Sequence, residues 1–309
     1  MENTAGKLKS EIHSKRAAKK SNKQITPRPL VYVSVGFLAL VTQVPFVLTL
    51  YYSTLNWNLQ YPKRGKEFVG LANYKALFTN TEFLQAFIVT LKLTVLILIL
   101  SLVLGLALAI LLHRKFPGKG IVRSMLFAPF LVMTTVTTLV WKNMILDPSY
   151  GFLAALFKLF GMTPIDVIGN YPTLTIVLVA TWTWTPFMML ILHAALESLP
   201  EEMMEAAAID GASRMYTFIY IVLPFLKQYI FICVLLGAIM ILPLFGEIAL
   251  ITAGGPGQTT TNLSYFVYEE AFQGYSIGSA SASGVVASLV TLVIGTVLIR
   301  IFNKKGEEA

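Results

Sequence analysis

Six stretches of this chain, near residues 30–52, 87–112, 125–146, 173–195, 229–252 and 280–302, are long and apolar enough to cross a hydrocarbon layer. Such a crossing takes about 20 apolar residues in a helix. Composition agrees: of 309 residues, 56% are hydrophobic and only 13% charged, where a soluble domain carries about 25%. The expected fold is therefore all-α and integral to a membrane, with six transmembrane helices. The first stretch follows a basic leader of nearly thirty residues and precedes no small-residue cleavage site, so it reads as a span, not a signal peptide.

Lysine and arginine orient the spans. Seventeen of them fall in the leader, the 113–124 loop, the 196–228 loop and the C-terminal end, against five in the alternate loops. By the positive-inside tendency both termini lie in the cytoplasm. The net charge of +8 then belongs to anionic lipid and needs no nucleic acid. Residues 1–29 read as a basic cytoplasmic arm, 30–302 as the six-span domain with a cytoplasmic loop at 197–228, and 303–309 as a cytoplasmic tail. Cys233, the single cysteine, excludes a disulfide framework.

Pro45, Pro129, Pro186 and Pro243 fall inside predicted spans. Each removes a backbone hydrogen bond and tends to kink its helix. Three in consecutive spans point to helices bent around a shared cavity, the alternative being plain packing kinks. The last span opens with GSASASG (Gly278 to Gly284), small enough to let another helix or a substrate come close. Two outer-loop segments, GLANYKALF (Gly70 to Phe78) and YGFLAALFKLFGM (Tyr150 to Met162), read as amphipathic or interfacial pieces.

The 197–228 loop carries the sharpest pattern. Pro200, Glu201 and Glu202 suit a helix start, where acidic groups meet the positive end of the helix dipole. Met203, Met204 and Ala206 to Ala208 continue the helix, and Asp210-Gly211 stops it. A second helix then rises toward Leu223-Pro224. Read from physics, this is either an ordinary amphipathic surface helix or a rigid lever presenting Met and Ala to a cytosolic partner.

The same residues resemble the signature of the membrane subunits of binding-protein-dependent ABC importers: E-A-A, three residues, G, nine residues, I, one residue, L-P. Here these are Glu205, Ala206, Ala207, Gly211, Ile221, Leu223 and Pro224, without a gap, with Asp210 at the corner. The resemblance implies a type I ABC importer permease fold, with the loop as a coupling helix docked on an ATP-binding subunit. A second resemblance, through FGEIALITAGGPGQTTTNLSYFVYEEAF and YSIGSASASG, is to carbohydrate importers of the maltose, glycerol-phosphate and polyol type. Within these the chain is similar to the first of the two permease subunits, from about residue 30 to the end. The implied companions are a second permease subunit forming a heterodimer, two copies of an ATP-binding subunit, an extracytoplasmic solute-binding protein and a sugar or sugar-alcohol substrate. An anionic sugar derivative such as a glycerol phosphate is the alternative cargo. The implied location is the bacterial inner membrane.

No catalytic residues are expected. The chain has no G-x-x-x-x-G-K-[ST] element, and GGPGQTTT lacks the lysine of one. His13, His113 and His193 are scattered, so no metal site is expected. No cofactor is assigned to this chain; ATP and Mg belong to the partner ATPase. Asn262-Leu-Ser264 matches a glycosylation sequon, read as chance.

Sugars are held by hydroxyl-bonding groups beside flat apolar surfaces. The candidate path residues are Trp184 and Phe187 on one face of span four, Met133 and Thr137 beyond Pro129, and a stripe in span five of Gly237, Met240, Leu244 and Glu247. Glu247 reads either as a hydrated interface carboxylate or as a hydroxyl acceptor, since ionisable groups within spans face cavities, partners or water. Lys142 either snorkels or pairs with an acid. The rival functions are an ion-coupled carrier, for which no acid relay or inverted repeat is evident, and a non-transporting membrane scaffold.

Overall fold

The computed structural model describes residues 28–114 and 116–307. Apart from Arg28 and Pro29, the predicted N-terminal arm lies outside the described residues. The chain divides into two units, residues 1–48 and 49–309. In the first, the described chain is helical: helix α1 (Arg28–Ser53) starts there, passes through Pro45 and ends in the second unit.

In the second unit a short antiparallel pair, β1 (Leu55–Asn56) and β2 (Glu67–Phe68), precedes α2 (Ala72–Thr79) and the long α3 (Thr81–His113). Asn80 caps α3 by accepting from the Glu82 amide, as Asn does for the orphan donors of a first turn. The chain continues through α4 (Lys119–Leu131), α5 (Thr134–Leu139) with a π-helical end at Val140–Ile145, α6 (Phe152–Leu159) and α7 (Val167–Asn170). Then come α8 (Pro172–Glu197), α9 (Glu201–Ile209) and α10 (Arg214–Ile241), which has a π turn at Phe218–Val222. Helix α11 (Leu263–Tyr268) and α12 (Ile277–Glu307) complete the described chain.

Among the described residues five helices are long and apolar enough to cross a membrane, and the count is six if the bent pair α4–α5 forms one span. The third predicted span is thus not one rod. The axis turns by 94°, because Val132 and Met133 take extended backbone angles. Pro129 weakens the preceding turn, and the run Thr134 to Thr138 is rich in β-branched residues that favour helix poorly.

The fifth predicted span, 229–252, also needs correction. Helix α10 begins fifteen residues earlier, at Arg214, and stops at Ile241. Leu242 and Pro243 form a turn, and Ile248–Thr252 is a separate π turn. Pro243 therefore breaks its span where the sequence predicted a kink within it, whereas Pro129 and Pro186 lie inside α4 and α8.

Helix α8 is the hub. Its first half (Ile176, Val177, Ala180) shares a buried cluster with Leu93 and Ile97 of α3 and with Leu244 and Ile248. Its second half (Met188, Leu192, Leu196) shares another with Leu112, Leu226 and Cys233. Helices α3 and α8 approach closely at Gly105, where a Cβ would sit 2.7 Å from Met188 Cβ and 2.9 Å from the Met189 amide nitrogen. Thr183 and Thr185, buried in α8, donate to the carbonyls of Val179 and Thr181 one turn back, which satisfies hydroxyls that lipid cannot.

Candidate functional site

The EAA segment forms a helix, a corner and a second helix. Helix α9 carries Glu201 and Glu202 in its first turn. At its end the Gly211 amide donates to Ala208 and the Ala212 amide to Ala207, the paired bonds of a left-handed glycine cap. Gly211 has φ +74° with no atom within 4 Å of an added Cβ. Only the backbone angle, and no neighbour, demands glycine there. Ser213 then caps α10 by accepting from the Tyr216 amide at 3.3 Å.

Glu205, Ala206, Asp210 and Gly211 are exposed, while Ala207 is turned inward and buried. Ile221 is half-buried, and Leu223 and Pro224 are exposed. Around the corner lie Met203, Met204, Met215 and Tyr216, all exposed, and Ile209, which is 86% exposed. A charged link braces the neighbouring ends: Glu197, the last residue of α8, pairs with Lys119 of α4 at 3.1 Å, and His193 Nε2 lies 3.3 Å from the same carboxylate oxygen.

The predicted path residues are only partly brought together. Trp184 and Phe187 meet edge-on at 6.1 Å between centroids, and Phe130 of α4 packs against both, at 5.9 and 5.4 Å. Phe130 lies one residue past Pro129 and was not singled out in the sequence; nothing local distinguishes it from its neighbours. Trp182 faces elsewhere and meets Trp141. Met133, at the α4–α5 break, is 72% exposed, and Thr137 is buried.

The stripe in span five does not exist as one face, because it requires a helix unbroken past Ile241. Gly237 is packed inward, where a Cβ would lie 2.5 Å from Met188 Cε and 2.6 Å from Leu98 Cδ1. Met240 is 55% exposed, and Leu244, beyond the break, is buried. Glu247 is 2% exposed, so it is not a hydrated interface carboxylate within this fold. Lys142 neither snorkels nor meets an acid: its Nζ donates to the Leu250 carbonyl at 2.7 Å, tying α5's π end to the turn after Pro243.

The outer loop after that turn is a compact polar structure. Thr260, Thr261 and Asn262 are buried. The Thr260 amide donates to the Gly254 carbonyl, and the Thr252 and Thr260 hydroxyls are bonded at 2.8 Å. Asn262 has two roles: its Oδ1 caps α11 by accepting from the Tyr265 amide at 2.9 Å, and its Nδ2 donates to the Leu244 carbonyl in the broken span. The next amide, of Leu263, donates to Thr90 Oγ1 of α3 at 2.8 Å. The sequon asparagine is thus a structural bracket. Its capping position before an apolar helix is readable from sequence; its bond to Leu244, eighteen residues back, is not.

A cavity of about 360 Å³ lies beside this bracket, lined in part by Pro243, Phe245, Ser264 and Ser288. None of the predicted path residues lines it. The GSASASG stretch packs tightly at its start. Gly278 abuts the Leu55 carbonyl and its amide donates to Trp57, while Ala282 and Ser283 are fully buried. Next to it the Glu269 carboxyl is pushed above the usual carboxylate range, by burial first and then by the Glu82 and Glu270 carboxylates.

A chain with five or six apolar helices long enough to cross a bilayer is a multi-pass membrane protein, and this one carries an exposed helix–corner–helix between two of them. Residues 101–306 match the family of binding-protein-dependent transport system inner membrane components, and the chain belongs to that family. It is a non-catalytic membrane subunit of a transport system. It is 34% identical over 272 residues to a probable ABC transporter permease of Sinorhizobium fredii, covering 87% of this chain and 88% of that one. It is 32% identical over 243 residues to the trehalose/maltose transport system permease MalF of Thermococcus litoralis, covering 78% and 80%. The crystal structure of a bacterial importer of the acidic polysaccharide alginate contains a chain that superposes with TM-score 0.78 at 19% identity, over 94% of this chain and 99% of that chain. The fold is that of type I ABC importer permeases.

Proposed function

We propose that this protein is one permease subunit of an ATP-driven importer for a sugar or sugar alcohol. It forms part of the translocation path and takes its energy from a cytoplasmic ATPase through the EAA corner. The observation that carries the reading is the corner itself. The motif residues form a short helix stopped by a left-handed glycine, with Met203 and Ile209 uncovered around it and outside the groove behind the corner. An exposed apolar patch of this kind marks a contact surface.

A second permease subunit completes the pore, two copies of an ATP-binding subunit hold ATP and Mg, and a solute-binding protein delivers the cargo outside. Both termini then face the cytoplasm, on the side of the corner. The sugar class rests on the trehalose/maltose relative, and the Phe130, Trp184 and Phe187 cluster offers the flat apolar surface a sugar ring needs.

The test is ATP-dependent uptake of labelled sugars, polyols and sugar phosphates by proteoliposomes containing the whole assembly. Native protein should import one class, and Gly211→Asp, which sets a carboxylate on the uncovered apolar corner, should abolish that uptake while the complex still purifies intact. Uptake indifferent to Gly211→Asp would remove the coupling role. Uptake that persists without the ATPase would favour an ion-coupled carrier.

A further inference from the structure

Behind the EAA corner lies a groove of about 940 Å³ between the ends of α3 and α8, helix α9 and the first turns of α10. Its walls are apolar, with Ile110, Leu196, Leu199, Met204, Phe218 and Val222 among them. Its charged lining is of one sign. Arg114 and Arg214 both contribute, His113 stands beside Arg114, and among the described residues no carboxylate lines the groove. All three of these side chains are exposed.

We infer that the groove holds an acyl chain of an anionic phospholipid, with the lipid phosphate bound by Arg114 and Arg214. Three features fix the class of occupant. The first is depth: His113 and Glu197 are the last residues of two spanning helices, so the groove lies where hydrocarbon gives way to headgroups. The second is exposed apolar surface on the same helices: Leu111 and Ile219, each next in sequence to a lining residue, are 50% and 44% exposed. The third is charge. Guanidinium groups match phosphate oxygens in a planar, paired geometry, and without a carboxylate the groove favours a net-negative headgroup over a zwitterionic one.

A protein segment as occupant would not need the apolar walls to adjoin lipid-facing surface. The inference rests on the orientation proposed above only in naming the cytoplasmic leaflet as the source. Its consequence is that a lipid tail contacts Met204, Ala208 and Ala212 of the EAA segment, so lipid occupancy and the position of α9 depend on each other.

The experiment is native mass spectrometry of the purified importer complex, released from nanodiscs made of equal parts palmitoyl-oleoyl phosphatidylglycerol and phosphatidylcholine. The native complex should retain phosphatidylglycerol in preference to phosphatidylcholine. The double variant Arg114→Gln/Arg214→Gln should lower that retention about tenfold or more, the scale expected for two basic groups near an anionic surface. Arg123→Gln, a base on α4 that does not line the groove, should leave it unchanged. Ala208→Leu, which narrows the groove and keeps both arginines, should also lower it.

Equal retention of the two lipids, retention indifferent to the double variant, or an equal loss in Arg123→Gln would overturn the assignment. Displacement of the lipid by inorganic phosphate alone would reduce the groove to an anion site and overturn the acyl-chain part. These readings are independent of transport: failure of sugar uptake with arginine-dependent lipid retention would sink the importer reading and leave the lipid site standing.

Discussion

Two left-handed glycines, Gly211 in the EAA corner and Gly254 in the outer loop, have nearly the same backbone, with φ +74° and +79°. Their surroundings are opposite. A side chain on Gly211 would meet nothing within 4 Å, whereas one on Gly254 would run into Thr261 Oγ1 and lie 2.8 Å from the Tyr265 ring. The corner is shaped by its own few residues and left uncovered. The outer loop is shaped by what closes over it: Thr260, Thr261 and Asn262 are buried, and their bonds tie a broken span to α11. Glycine in the first place serves a local turn, and in the second a packed one.

Substitutions at the two glycines test that contrast directly. Gly254→Ala combines left-handed strain with overpacking and should cost about 3 kcal/mol of stability, read as a large fall in thermal unfolding temperature in detergent. A change no greater than that of Gly211→Ala would mean that the outer loop yields and the contrast is false.

Next in size is Asn262→Ala. It removes a helix cap and leaves the buried Leu244 carbonyl without its donor, for about 2 kcal/mol. Asn262→Asp keeps the acceptor for the Tyr265 amide but buries a carboxylate whose second oxygen faces the Leu244 carbonyl. It should therefore be no more stable than alanine at neutral pH and recover in acid, where a protonated carboxyl can donate to that carbonyl.

Gly211→Ala should cost only about 1 kcal/mol, since strain acts there alone. Its effect should appear in ATP-dependent uptake more than in stability. Asn tolerates the left-handed region better than Ala, so Gly211→Asn should recover much of the lost uptake. Equal defects in the two variants would show that something other than backbone angle matters at the corner.

The smallest effect concerns Glu269. Its carboxyl holds a proton more readily in the folded loop than in water. Its contribution to stability is therefore fullest below the ordinary carboxylate range and declines as pH rises through that range toward the raised folded value. Glu269→Gln should raise the unfolding temperature slightly at neutral pH and lose that advantage in acid. A gain independent of pH would assign it to packing instead.

The sequence was most legible where structure is local or repeats along one helix. The apolar spans and the EAA corner follow from composition, spacing and short-range hydrogen bonding. It was least legible at the two broken spans. The apolar run from Tyr229 to Thr252 reads as one rod, and Pro243 announces a kink without saying that the chain turns there. The turn is held by the Asn262 side chain on Leu244 and by Lys142 on Leu250, partners eighteen and more than a hundred residues away. The proposed stripe through Glu247 failed for the same reason, since a helical period has no meaning across a break.

The sequence by itself thus determined that the chain enters lipid through several apolar helices and that one loop carries a turn of fixed hand. Those are decisions of hydrophobic transfer and backbone angle, made within a few turns of chain. Only the tertiary structure decided that Phe130 joins Trp184 and Phe187, that Glu247 is enclosed, and that the end of the fifth span folds away from its axis. Each of these depends on a partner brought from a distant part of the chain, and a buried polar group or ring takes whichever partner packing supplies.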